Sequence, residues 1–397
     1  MKVLQVIPYF FVSWAGGGPV ELILNMSKGL VQRGHQVIIY TTDSFSKLRK
    51  SKSFDDAPAI PGIDVFEFRS LGGGLMGGSS LHLSPSIIPA LAKQTASFDI
   101  IHLHEYRTFQ NIVAHHYARK FDVPYVLQAH GSLPTTLGKK YLKQTFDNLW
   151  GYRLLNDAAR LIAVSRMEAE QYRAIGVKGG RVETVPHGLD LSVFDKLPAR
   201  GRFRQRHGLD NRRIILSLGR LHRIKGLDLL VRAFAELTKS TGNVRLVIAG
   251  PDAGYLPFLK KLVADLGVRK KILFTGPIYG QQKLEAYVDA DVYVLPSYYE
   301  IFSVTVLEAC ACGTPVVVTD RCGLADVIEG HAGVVAPCDE KRLASAILSI
   351  LSDDEFGKQL STGGRRLVRE GFSLAEMAEN LERVYLQASR GSSRSWS

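Results

Sequence analysis

Glu300 and Glu308 lie eight residues apart, and Arg220 and Lys225 lie five apart. These four residues have the types and spacing for joint chemistry on a charged, hydroxyl-bearing ligand. Glu300 follows residues 291–296 (DVYVLP), an apolar run that stops at proline as a buried parallel strand does. Glu308 falls within residues 306–312 (VLEACAC), where apolar residues recur at helical spacing before Gly313-Thr314-Pro315 ends the run. Were the whole segment helical, a rise of about 1.5 Å per residue would set the two roughly 12 Å apart and on different faces. A loop position for Glu300 and a place one turn into the helix for Glu308 let both carboxylates face the carboxyl end of the strand. The amides of Phe302, Ser303 and Val304 then open the helix, where an anion is favoured. Arg220 and Lys225 belong to residues 219–226 (GRLHRIKG), between the apolar run 214–218 and the helix-patterned stretch 227–237. Two cations in a strand-to-helix loop can neutralise a departing diphosphate. Carboxylates for sugar hydroxyls, with cations and amides for phosphate, suit a sugar nucleotide. Chance also places two surface glutamates or two surface cations at these spacings.

Other residues carry less information singly. Gly16-Gly17-Gly18 lies between the first strand and the first helix, where a glycine turn can bring amides to a phosphate. The run is not the dinucleotide fingerprint, because Glu21 stands where the third glycine belongs, and a plain turn has the same composition. His104 ends the strand 99–104, and His130 follows the strand 124–129, where Gly131 and Ser132 turn the chain. A strand-end histidine is also a common structural residue. Asp289-Ala290-Asp291 has the form of a metal-binding Asp-x-Asp pair, but it joins a helix to a strand, where aspartates commonly end elements. No metal is expected there. Cys310, Cys312, Cys322 and Cys338 lack paired spacing and read as buried free thiols in a reducing cytoplasm.

These residues need elements to position them. In the first half, strand patterns at 3–7, 36–41, 99–104, 124–129, 161–165 and 182–186 alternate with amphipathic helices such as 20–33, which has Pro19 near its start and Gly34 after its end. The second half restarts the alternation at 214–218, followed by strands at 244–250, 272–275 and 291–296. Repeated βαβ units predict an α/β protein with doubly wound parallel sheets. Residues 44–61 and 71–80 are long connections, either binding loops or idle surface. The arginine-rich stretch 199–213 reads as a solvated, hinge-like linker. Residues 374–386 form a last amphipathic helix, and the tail beyond residue 390 is Ser/Gly/Arg-rich, a disordered composition.

Residues 296–320, PSYYEIFSVTVLEACACGTPVVVTD, resemble the donor-binding segment of the retaining glycosyltransferases of family 4. Residues 219–226 resemble that family's Gly-Arg…Lys-Gly motif, and His187-Gly188-Leu189-Asp190 its Asn-Gly-Val-Asp crossover, with histidine replacing asparagine. The resemblance implies the GT-B fold, two Rossmann-like domains facing each other across a cleft. It implies an acceptor-side domain over residues 1–195, with the helix 374–390 packing back on it. The donor domain would then span 196–373, and 391–397 would be the tail. It implies that Glu300 contacts the transferred sugar, Glu308 holds the ribose hydroxyls, and Arg220 and Lys225 grip the diphosphate. The backbone near Ile278 would hold the base, and the 16–18 loop would lie against the diphosphate. A histidine at the place of His130 reaches the donor sugar in the family, and His104 is the second candidate. Ser303 stands where the family usually has glycine. The implied activity is retaining, metal-independent sugar transfer from a nucleotide-diphosphate sugar to a glycan or lipid-linked acceptor, without a cofactor. An inactive sugar-nucleotide-binding subunit is the alternative from another class.

The bulk numbers fit this picture. The chain has 397 residues, enough for two domains. Its net charge of +12 favours anionic partners such as a nucleotide diphosphate, an acidic glycan or an anionic membrane. Nucleic acid is not expected, because no basic-aromatic recognition motif is present. Residues 2–7 read as a first strand rather than a secretory signal, since Gln5 and Pro8 interrupt the apolar run. No run reaches the roughly 18 apolar residues of a membrane span. A cytoplasmic protein is expected, peripheral at the inner face of the membrane if residues 138–155, with Lys139, Lys140, Lys143, Tyr141, Phe146 and Trp150, rest on lipid. An ordinary helix over the core has the same pattern.

Overall fold

The computed structural model describes residues 1–9, 18–43, 61–71, 83–135, 138–209 and 212–390. The chain divides into two units, Met1–Gly188 with Leu374–Ser397, and Leu189–Ser373. In the first unit the strands are β1 (Lys2–Val6), β2 (Gln36–Thr42), β3 (Ile63–Phe68), β4 (Ile100–His104), β5 (Tyr125–Gln128), β6 (Arg160–Ala163) and β7 (Val182–Thr184). They form one parallel sheet in the order β3-β2-β1-β4-β5-β6-β7. Side chains alternate across each strand. Leu4, Ile38, Ile101 and Leu127 therefore enter one core, and Val3, Val37, Ile100 and Val126 the other. Burial on both faces is why these strands read as nearly continuous apolar runs.

Helix Leu374–Arg390 closes the second of these cores with Met377, Leu381 and Tyr385. It lies against helix Gly18–Gln32. Gly29 permits the approach, since a Cβ there would sit 2.9 Å from the Cβ of Ala378. Arg33, just after that helix, donates to Glu382, and His35 Nε2 lies 3.1 Å from the same carboxylate.

The basic-aromatic stretch is not one regular helix. Helix Lys140–Phe146 widens into a π turn over Asp147–Gly151 and resumes as Tyr152–Asp157. Packing is close at this turn. The Tyr106 hydroxyl lies only 2.5 Å from where a Cβ of Gly151 would be, so glycine makes room for it. Asp147 is turned inward onto Arg107, which donates from Nε at 2.8 Å and from Nη2 at 2.7 Å. The same guanidinium also donates to the carbonyls of Ser132 and Leu133.

In the second unit, β8 (Arg213–Leu218), β9 (Val244–Ala249), β10 (Ile272–Gly276), β11 (Val292–Leu295), β12 (Val316–Thr319) and β13 (Gly333–Ala336) form a parallel sheet. Its order is β10-β9-β8-β11-β12-β13. The chain runs outward from β8 to β10, then returns to place β11 beside β8. The connections that follow β8 and β11 therefore run to opposite faces of the sheet, and this reversal of strand order is the switch point where open α/β sheets bind ligands.

The arginine-rich stretch is not a solvated linker. Helix Arg202–His207 lies within it. Arg204 donates to Asp291 at 2.7 Å, Arg206 to Glu285 at 2.6 Å, and Arg213 to Asp354 at 2.6 Å. The aspartates that sequence spacing offered as a metal pair are the anchors. Asp289 accepts from the amides of Gly201 and Arg204, and Asp291 from the amide of Ile214. The cysteines are free thiols, and burial pushes Cys310, Cys312 and Cys322 up to about 12.

Candidate active site

The loop after β8 meets the loop after β11. Gly226 makes this possible with a φ of 63°, since a Cβ there would fall 1.9 Å from the Pro296 carbonyl oxygen. The amide of Tyr298 donates to the Ile224 carbonyl at 2.9 Å, which ties the two loops together. Lys225 consequently reaches Glu300 and forms an ion pair with its Oε2. Glu300 is held from the other side by the loop after β12. Its amide donates to Arg321 at 3.0 Å, and its carbonyl accepts from Gly323 at 2.7 Å. Arg220, from the same β8 loop, is exposed and has no hydrogen-bond or ion-pair partner among the described residues.

Glu308 sits in helix Val304–Cys312 and is buried. Lys283 donates to its Oε1 at 2.5 Å and Tyr287 to its Oε2 at 2.8 Å. Burial and the Glu308 charge raise the Tyr287 hydroxyl well above its ordinary pKa, so it remains a donor. The Tyr293 hydroxyl donates to the Leu218 carbonyl at 3.0 Å, and burial raises its pKa. That hydroxyl lies 2.7 Å from Thr305 Oγ1.

Ser303 caps the helix by accepting from the Val306 amide at 3.4 Å, and its hydroxyl lies 3.0 Å from Thr305. Serine at this family glycine position therefore has a helix-capping role. Phe302 is buried beside Phe372, with ring centroids 6.1 Å apart. Ile278 is buried after β10, next to Tyr279, which stands before helix Gly280–Asp289.

In the first unit the corresponding switch point lies between β1 and β4. Gly16 and Gly17 lie outside the described residues, and Gly18 opens helix Gly18–Gln32. At the ends of β4 and β5, four histidines form a column. The rings of His102 and His104 are 4.0 Å apart, those of His104 and His130 5.2 Å, and those of His130 and His187 5.4 Å with an interplanar angle of 2°. Burial lowers all four, His130 to about 4, so the column is neutral near pH 7.

Two buried carboxyls lie near the His130–Gly131 turn. Glu168, capped into helix Arg166–Ala174 by Ser165, accepts from Gly131 at 2.6 Å and Val164 at 2.8 Å. Burial pushes it up to about 7 against those two amides. Burial pushes Glu105 up to about 8, opposed by a hydrogen bond from Ser132 and aided by the Glu168 charge.

Sequence reasoning missed Lys283, Tyr287, Tyr293 and the carboxyl of Glu105. Lys283 and Tyr287 are four residues apart, so one helix face presents both, and that spacing was the available signal.

Two doubly wound units, one with cations and carboxylates at its switch point, define an α/β enzyme of the GT-B class. Residues 199–367 match the family Glycosyl transferases group 1, and residues 16–193 match Glycosyltransferase Family 4. The chain belongs to these glycosyltransferases. It is 28% identical over 407 residues to a D-inositol 3-phosphate glycosyltransferase of Xylanimonas cellulosilytica, covering 94% of this chain and 92% of the relative. It is 32% identical over 223 residues to the GDP-mannose-dependent alpha-(1-6)-phosphatidylinositol monomannoside mannosyltransferase of Mycolicibacterium smegmatis, covering 54% of this chain and 58% of that one. A sucrose-phosphate synthase structure from Thermosynechococcus elongatus shares the fold, with a TM-score of 0.79 at 23% identity over 98% of this chain and 99% of that one.

Proposed function

We propose that the chain moves a sugar, with retention and without a metal, from a nucleotide-diphosphate sugar to a glycan or lipid-linked glycan. Donor binding is assigned to residues 196–373 and acceptor choice to residues 1–195. The observation that carries the reading is the Lys225–Glu300 pair at the β8/β11 switch point, with Arg220 on the same β8 loop and without a hydrogen-bond or ion-pair partner among the described residues. A diphosphate leaving there meets two cations, the electrostatic stabilisation such a departure requires. Glu300 is ion-paired yet keeps acceptor capacity for sugar hydroxyls. Glu308, steadied by Lys283 and Tyr287, is assigned to the ribose, the backbone near Ile278 to the base, and His130 to the sugar. Retention is tested by following the anomeric proton of the first-formed product by NMR. The same configuration as in the donor is expected, and the inverted one would sink this part of the reading.

Absence of a catalytic metal is supported by the aspartates, whose carboxylates are taken up by arginines and amides. Activity is therefore expected to survive EDTA. Loss on chelation, with recovery in magnesium or manganese, would contradict it.

A lipid-linked acceptor at the inner face of a membrane, in the synthesis of cell-surface polysaccharide or glycolipid, is supported by an exposed apolar group on the basic stretch. Tyr141 is 83% exposed and Leu142 63%, with Trp150 and Leu149 also exposed beside Lys139 and Lys140. Among the described residues no helix is long and apolar enough to cross a membrane. The phosphatidylinositol mannoside named for one relative is a lipid acceptor. The basic run at residues 47–52 lies outside the described residues. Each basic side chain near an anionic surface contributes about 1 kcal/mol, and salt screens it. Sedimentation with anionic but not neutral vesicles is expected, weakened by salt and by Lys139→Glu with Lys140→Glu. Equal indifference to both vesicle types at low salt would favour a soluble acceptor.

A further inference from the structure

His104 is the last residue of β4 and is fully buried. Its Nδ1 lies 2.9 Å from Nε2 of His130. Its other nitrogen, Nε2, is buried and has no hydrogen-bond partner among the described residues. Two neutral imidazoles at this distance share one proton, so one ring donates and the other accepts. Two arrangements are open. If His104 carries its proton on Nε2, a buried N–H is left without an acceptor. If it carries the proton on Nδ1, only a lone pair is left unused. Buried orphan N–H groups are rarer than under-used acceptors. The second arrangement therefore holds, and His104 donates.

His130 then accepts at Nε2 and must carry its own proton on Nδ1. That Nδ1 has no partner among the described residues and is not among the buried unpaired atoms, so it is open to a ligand. The ring cannot easily turn away. His130 and Gly131 hold φ values of 51° and 83°, Glu168 anchors the Gly131 amide at 2.6 Å, and His187 stacks on the ring.

We infer that His104 is a positioning residue. It donates from Nδ1 to His130 and so holds His130 in the tautomer that offers an N–H, not a lone pair, to an oxygen of the transferred sugar. The inference rests on the assignment of His130 to the sugar. It makes His130 a neutral hydrogen-bond donor that selects an oxygen at one position of the sugar, and it removes His130 as a general base.

The test uses the full chain with 15N-labelled histidine. Ring-nitrogen NMR, with His130→Gln to assign the signals, reports the tautomer of His130 without any ligand. The Nδ1-protonated form is expected in the wild type and in His104→Asn, whose amide donates from nearly the same place. His104→Leu removes the donor, and His130 is expected to move toward the Nε2-protonated form. Turnover of UDP-glucose and GDP-mannose supplies the second readout. In His104→Leu, kcat is expected to fall about tenfold, the effect of one neutral hydrogen bond, while KM stays level and His104→Asn restores kcat. An Nε2-protonated His130 in the wild type, or an unchanged tautomer in His104→Leu, overturns the inference. If the wild type turns over no nucleotide sugar, the proposed function fails, while the tautomer measurement still decides the role of His104.

Discussion

Lys225→Ala and Arg220→Ala are each expected to lower kcat/KM for nucleotide-sugar turnover by about 10²–10³, the usual effect of removing one preorganised charge from a transition state. The two variants differ in structural consequence. Arg220 is exposed and unpaired among the described residues, so its loss should change stability by no more than about 0.5 kcal/mol. Lys225 is the partner of the largely buried Glu300, and its removal leaves that carboxylate uncompensated. Thermal unfolding of both variants beside the rate measurements separates the effects. Near-normal turnover in a well-folded Arg220→Ala, and again in Lys225→Ala, would remove the diphosphate assignment.

Asp147→Ala is expected to destabilise the first unit by about 3–5 kcal/mol, because it leaves the Arg107 guanidinium charged and buried without its carboxylate. Both side chains are only 8% exposed, so solvent offers little relief. Arg107 also holds the carbonyls of Ser132 and Leu133, immediately after the His130–Gly131 turn. Asp147→Ala should therefore loosen the histidine column as well as lower stability. Denaturant unfolding is the check, and a loss below about 1 kcal/mol would show that the pair is not the fixed point of this segment.

The fold was largely legible because parallel sheets covered on both faces leave apolar runs, and each run in 3–7, 99–104, 214–218 and 291–296 became a strand. The two glutamates were legible because the proline-ended strand and the Gly313 stop bracket them. Their partners were not. Lys283 meets Glu308 from 25 residues away, and Arg107 meets Asp147 across 40, distances at which local patterning says nothing. The arginine-rich stretch misled for the same reason. Six arginines with one aspartate look solvated until Asp289, Asp291 and Glu285 arrive from far along the chain. The π turn at Asp147–Gly151 ends at a glycine over which a tyrosine from another element packs, a contact that helical periodicity does not encode.

The central claim is that the cations and carboxylates at the β8/β11 switch point hold a sugar nucleotide. The most direct measurement is release of free nucleoside diphosphate from a panel of sugar nucleotides, paired with thermal unfolding of the protein in their presence. At least one donor is predicted to be consumed by the wild type, with Arg220→Ala slower by about 10² or more. The same donor at 100 times its dissociation constant should stabilise the protein by about 2.7 kcal/mol. A panel in which no sugar nucleotide is consumed and none raises the unfolding temperature would contradict the account.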